Sequence, residues 1–176
     1  MKAQTRTGQL LMVMHILAWV VFVGLMIEAG AILVSYAVSL INPETAKNLY
    51  KGLDLYNLSQ FNFWYYTISV FFLVVLLIMI SWVSYLAIKT LSKFNLEKPF
   101  TMEVARRLEK ISYAALATWV VTILSNAYSG FLLKITGKMY GTWISGDFIF
   151  MVGLLFIMAQ LFKRGAEIQS ENDLTV

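Results

Sequence analysis

A carboxylate stands inside the first apolar run of the chain: Glu28 lies between Leu10 and Ile41, where only His15 and small polar residues otherwise interrupt the hydrophobic pattern. An ionisable side chain in such a run is costly, so it marks either a proton or cation site or a structural hydrogen bond between packed helices. Glu28 shares a stripe with Gly24, Ala31, Ser35 and Ser39, at helical spacings of three and four. Small and polar residues spaced this way face other helices rather than lipid. A later run carries a matching stripe, Ala115, Thr118, Thr122, Ser125 and Ser129, with Asn126 beside it. Running in opposite directions, the two stripes bring Glu28 and Asn126 to similar depth, so a hydrogen bond between them is geometrically reasonable. His15 and Gln160 lie near the same ends of the first and last runs. They either bond to each other or, for the histidine, meet water and headgroups.

Other chemistries are excluded by what is missing. The chain has no cysteine and one histidine, so thiolate sites, disulfides and multi-histidine metal or haem centres cannot be built within it. No Ser-His-Asp grouping, paired membrane carboxylates or glycine-rich phosphate loop is present. The expectation is a protein that is not an enzyme and carries no catalytic residue, metal or cofactor.

The elements that must position these residues are membrane helices. Of 176 residues, 59% are hydrophobic and 14% charged, with mean hydropathy +0.70. One small water-soluble core cannot absorb that much apolar surface. Four runs stand out, at 10–41, 63–88, 111–133 and 148–162. As a helix the first would span about 48 Å against a hydrocarbon core of roughly 30 Å, so it must tilt, kink or project. It reads as an uncleaved first span rather than a signal peptide. The fourth is short and needs its flanks near the interfaces. The expected architecture is all-α, a single four-helix membrane bundle over 1–176 without internal repeat.

Lysine and arginine set its orientation. Ten lie at the N-terminus, in the 89–110 loop and after position 162; four, Lys47, Lys51, Lys134 and Lys138, lie on the other side, and all four arginines are in the first group. Both termini and the central loop are therefore expected in the cytoplasm. Trp64, Tyr65, Tyr66, Tyr140 and Trp143 would form the outer aromatic belt, with Trp82 and Tyr85 near the inner one. The outer loop predicts one short interfacial helix over Glu44 to Tyr50, and Asp147 reads as a turn residue. In the inner loop Pro99 stops what precedes it. Thr101 is placed to cap a helix that starts near Met102 and enters the membrane unbroken, and Glu103 is placed to pair with Arg106 or Arg107. Gly165 reads as a point where the last helix ends or loosens. The polar tail after it ends in Leu174-Thr175-Val176, either a frayed end or an extended strand able to add to a sheet edge or groove.

The tail carries a resemblance. Phe162, Gly165, Ile168 and the closing Glu171-Asn172-Asp173-Leu174-Thr175-Val176 resemble the C-terminal signature of a bacterial four-span membrane family, Domain of Unknown Function 2975, with Ile168 where leucine is usual. The stretch from Asn95 to Ile111, a Pro-Phe pair before a basic helix, is also similar. The resemblance implies four spans and no established activity. It further implies a neighbour of the helix-turn-helix regulator type, since members are often encoded beside one.

Two functions follow as expectations. In the first, the protein is a non-enzymatic regulator or anchor. It holds a small cytoplasmic helix-turn-helix partner, without touching nucleic acid itself, through Arg106, Arg107, Lys110, Glu171, Asn172, Asp173, Leu174 and Val176, residues that also suit anionic lipid of the surrounding bilayer. In the second, it is one subunit of a small homo-oligomeric proton or cation transporter or channel working around Glu28 and Asn126.

Overall fold

A computed structural model describes residues 6–94, 100–140 and 148–174, with side chains up to Glu171. Every regular element among them is helical: α1 Arg6–Ser39, a 3-10 turn Pro43–Lys47, α2 Tyr56–Phe61, α3 Phe63–Leu91, α4 Met102–Thr136 and α5 Phe148–Leu174. Four of these, α1, α3, α4 and α5, are long and apolar enough to cross a membrane, and the chain is a multi-pass membrane protein. Contacts divide it into two compact units. One comprises Met1–Phe22, Trp82–Ala117 and Asp147–Val176; the other comprises Val23–Ser81 and Thr118–Gly146.

In the second unit the best-buried side chains belong largely to the segment between α1 and α3. Ala46, Leu49, Leu55 and Leu58 are almost fully enclosed and pack with Ile32, Val70 and Leu132. The reason is physical: a span leaves its apolar surface to lipid, whereas a segment at the water side must bury its own. Local signals shape it. Asn42 accepts from the Glu44 amide at 3.2 Å and Pro43 opens the 3-10 turn. Lys51 and Gly52 both take left-handed backbone, φ 47° and 81°, closing a tight turn in which the Leu53 amide donates to the Tyr50 carbonyl at 2.9 Å. Asn62 ends α2 and caps α3, accepting from the Trp64 amide at 2.8 Å. The single helix expected over Glu44 to Tyr50 is thus a 3-10 turn over Pro43–Lys47, and the left-handed turn at Lys51 and Gly52 and then α2 follow it. Tyr66 and Tyr140, expected in the outer belt, are core residues here. The Tyr66 and Ser39 hydroxyls lie 2.6 Å apart. Trp64 is exposed as a belt residue would be.

In the first unit α4 begins as its sequence dictates. The Thr101 hydroxyl accepts from the Val104 amide at 3.3 Å, and α4 runs without a break to Thr136. Val104, Ala105, Ile111, Ser112 and Ala115 form its buried face. α5 departs from expectation. It continues through Gly165 to Leu174, so the glycine neither ends nor loosens it, and the tail up to Leu174 is helical rather than extended. The fourth helix is accordingly longer than the apolar run 148–162. Phe100 packs at this point: its ring occupies the space beside Gly165 and lies 5.1 Å, centroid to centroid, from that of Phe162.

Candidate functional site

Glu28 belongs to the second unit and is 29% exposed. Its carboxylate accepts a hydrogen bond from the Lys51 ammonium at 3.0 Å. Lys51 comes from the left-handed turn, outside the spans, and its pKa is raised above the ordinary lysine value because the Glu28 carboxylate holds its proton. The pair borders a cavity of about 430 Å³, which Ser125 and Ser129 of the α4 stripe also line, together with Ser69 and Tyr128. Glu28 is the one carboxylate among its described lining residues.

Asn126 lines a different depression, with Gly130 and Lys134. Glu28 thus has a lysine from the turn as a partner, one the sequence did not suggest, and Asn126 borders a separate depression. The rest of the α4 stripe is packed as its spacing predicted, with Ala115, Thr118 and Thr122 buried. Gly24 of the α1 stripe is open: a Cβ there would meet nothing within 4 Å among the described residues.

The basic end belongs to the first unit. Arg107 donates to Glu103 at 2.7 Å and to the Lys89 carbonyl in the last turn of α3 at 3.2 Å. It thereby ties the start of α4 to the end of α3, where carbonyls lack helical partners. Lys93 reaches the same carboxylate at 3.3 Å, and the Lys89 ammonium lies 4.7 Å from the Tyr85 ring centroid. A groove of about 1020 Å³ is lined by these residues with Arg106 and Lys110. Arg106 also borders a smaller depression, about 210 Å³, shared with Glu109, Gln160 and Lys163.

His15 lies in another depression beside Leu91 and Phe94. Its Nε2 accepts from the Trp19 indole at 3.1 Å within α1. His15 and Gln160 thus line separate depressions. In the tail, Arg164 donates to Glu167 at 3.0 Å, while Ile168 and Glu171 are exposed. Lys98, Pro99, Trp143, Asp147, Thr175 and Val176 lie outside the described residues, as do the side chains of Asn172, Asp173 and Leu174.

Two relationships escaped the sequence. Lys51 gave no signal beyond its charge, because only the left-handed turn carries it to Glu28. Phe100 was part of a motif, but nothing local said that it seats on Gly165. Among the described residues no group of three or more His, Cys, Asp or Glu side chains could hold a metal ion.

One family model, described as a protein of unknown function (DUF2975), matches residues 42–176. No curated protein and no solved structure matches the chain.

Proposed function

The chain belongs to this family of proteins of unknown function, and from that premise we propose that it is a non-enzymatic anchor or regulator in a bacterial inner membrane, holding a small cytoplasmic protein of the helix-turn-helix type. One observation carries the reading. The two segments that bear the family motifs are packed on each other, through Phe100 against Phe162 and Gly165, and α5 runs on as a polar helix to Leu174. A frayed end would need no such fixing.

Because the tail is helical, its partner is engaged by a helix face, with exposed Ile168 as the apolar anchor and Glu171 beside it, rather than by strand addition. Arg106 and Lys163 stand at the neighbouring depression and supply rim charge. The excess of Lys and Arg on this side supports a cytoplasmic location.

The test is photo-crosslinking from position 174 in native membranes, followed by mass spectrometry. A helix-turn-helix protein, captured by the full chain and lost when 172–176 are deleted, is the expected result. Crosslinks confined to the chain itself would make the tail an internal clasp and end the anchor reading. The alternative, a proton or cation path at Glu28, has less support, since the carboxylate is already paired with Lys51 and no second acid lines its cavity among the described residues.

A further inference from the structure

Among the described residues, the lining of the groove at the basic end carries more positive than negative charge. Five cations line it, Lys89, Lys93, Arg106, Arg107 and Lys110, against the one carboxylate of Glu103 among the described lining residues. Glu103 is already shared by Lys93 and Arg107. Lys89, Arg106 and Lys110 are left facing one space with no acid of their own in that lining. Like charges gathered this way repel one another, and an anion among them relieves the repulsion.

We propose that this groove binds the headgroup phosphate of one anionic phospholipid. The remaining walls decide the class of anion. Trp82 and Tyr113 line the same groove and are each more than half exposed. Amphipathic rings of this kind sit at headgroup level, apolar body toward the acyl chains and polar edge toward water. Along α4 the change is abrupt. The turns up to Lys110 carry Glu103, Arg106, Arg107 and Glu109, whereas Ile111 opens the apolar stretch and Leu116 is exposed one turn beyond Tyr113. A phosphate at Arg106 and Lys110 therefore has apolar helix surface next to it for its chains. A free inorganic anion or an acidic peptide would have no use for that surface.

Arg107 gives the site a fixed edge. Its side chain is only 23% exposed and is held by Glu103 and the Lys89 carbonyl. Its Nε is buried without a hydrogen-bond partner among the described residues. A guanidinium held in place loses little entropy on meeting a phosphate, unlike a freely moving surface lysine. The site involves no part of the tail but shares Arg106 with the depression proposed for a protein partner, so its test reads lipid retention and not partner capture.

The experiment reconstitutes the full chain into phosphatidylcholine vesicles containing a minor fraction of phosphatidylglycerol. The protein is then extracted in mild detergent, and the retained lipid is counted by native mass spectrometry. The expected result is one phosphatidylglycerol kept in preference to phosphatidylcholine, with retention falling roughly tenfold or more in the Arg106→Gln/Lys110→Gln double variant. Lys134→Gln/Lys138→Gln, which removes the same charge elsewhere, should retain the lipid. Far-UV circular dichroism reports whether each variant is folded, and Arg106→Gln alone replaces the double variant if that one is not. Equal retention of the two lipids, equal loss in both double variants, or displacement of the lipid by inorganic phosphate would each overturn the assignment.

Discussion

The ring of Phe100 lies where a side chain at position 165 would have to go: a Cβ on Gly165 would come within 2.8 Å of Phe100 Cδ1 and 3.0 Å of its Cγ. The glycine is therefore present in the middle of a helix, where it costs about 1 kcal/mol relative to alanine, because the helix must let an aromatic ring through. Phe162, one turn earlier on α5, supplies the other wall of the seat. The contact joins the start of α4 to the point where α5 becomes polar.

That arrangement makes the effect of Gly165→Ala depend on its neighbour. In the wild-type background the methyl group must displace the ring, and overpacking of this kind costs about 1–3 kcal/mol, more than the helix propensity gained. With Phe100→Ala already in place the clash is gone, and the same substitution should stabilise by about 1 kcal/mol. Thermal melts of the four proteins of this cycle, in one detergent, measure the difference. The same effect in both backgrounds would show that Phe100 does not occupy the space.

What the sequence made legible was local or periodic. The four membrane helices follow from hydropathy alone. The start of α4 follows from Thr101 and Glu103, because a cap is settled within one turn. The buried face of α4 followed from the spacing of Ala115, Thr118 and Thr122. What stayed hidden depended on residues far apart in the chain. Gly165 reads as a helix breaker until Phe100, from another segment, is placed on it. The lysine that meets Glu28 gives no local sign of doing so until the turn at Lys51 and Gly52 carries its ammonium there. The segment 42–62 mixes Ala46, Leu49, Leu55 and Leu58 with polar residues at no regular spacing, so its burial could not be read from periodicity.

The pairing of Lys51 with Glu28 has a pH signature. Hydrogen bonding to the carboxylate raises the Lys51 pKa above its ordinary 10.5. A group whose pKa is raised by folding contributes stability that is complete below its unfolded value and is lost as pH climbs through the folded value. Glu28→Gln removes the charge that raises it. The melting temperature of wild type should therefore exceed that of Glu28→Gln at neutral pH, and the gap should close only above about pH 10.5. The effect will be modest, because Lys51 is largely exposed and solvent screens the pair. Adding salt at neutral pH should narrow the same gap. A gap that stays constant into alkali would mean that Glu28 is held by something other than the lysine. Under the anchor reading, liposomes bearing wild type and Glu28→Gln should show the same proton and cation leak; a flux lost in the variant would favour the transport reading instead.

Asn62 tests how far the segment between α1 and α3 folds under its own signals. Its amide donates to the Leu58 carbonyl as α2 ends, while its side chain accepts from the Trp64 amide at 2.8 Å and the Tyr65 amide at 3.3 Å as α3 begins. One residue thus closes one helix and opens the next. Alanine there leaves the first amides of α3 without a side-chain acceptor, a loss of about 1 kcal/mol. Asn62→Asp keeps the acceptor oxygen and adds a negative charge at a helix N-terminus, which the helix dipole favours. The expected order of melting temperature is therefore Asn62→Asp at or above wild type, with Asn62→Ala below both. Hydrogen exchange should localise the alanine defect to the first turn of α3, since the buried leucines at 49, 55 and 58 still hold the rest of the segment. Equal stability of the alanine and aspartate variants would mean that packing of those leucines, and not the cap, decides where α3 starts.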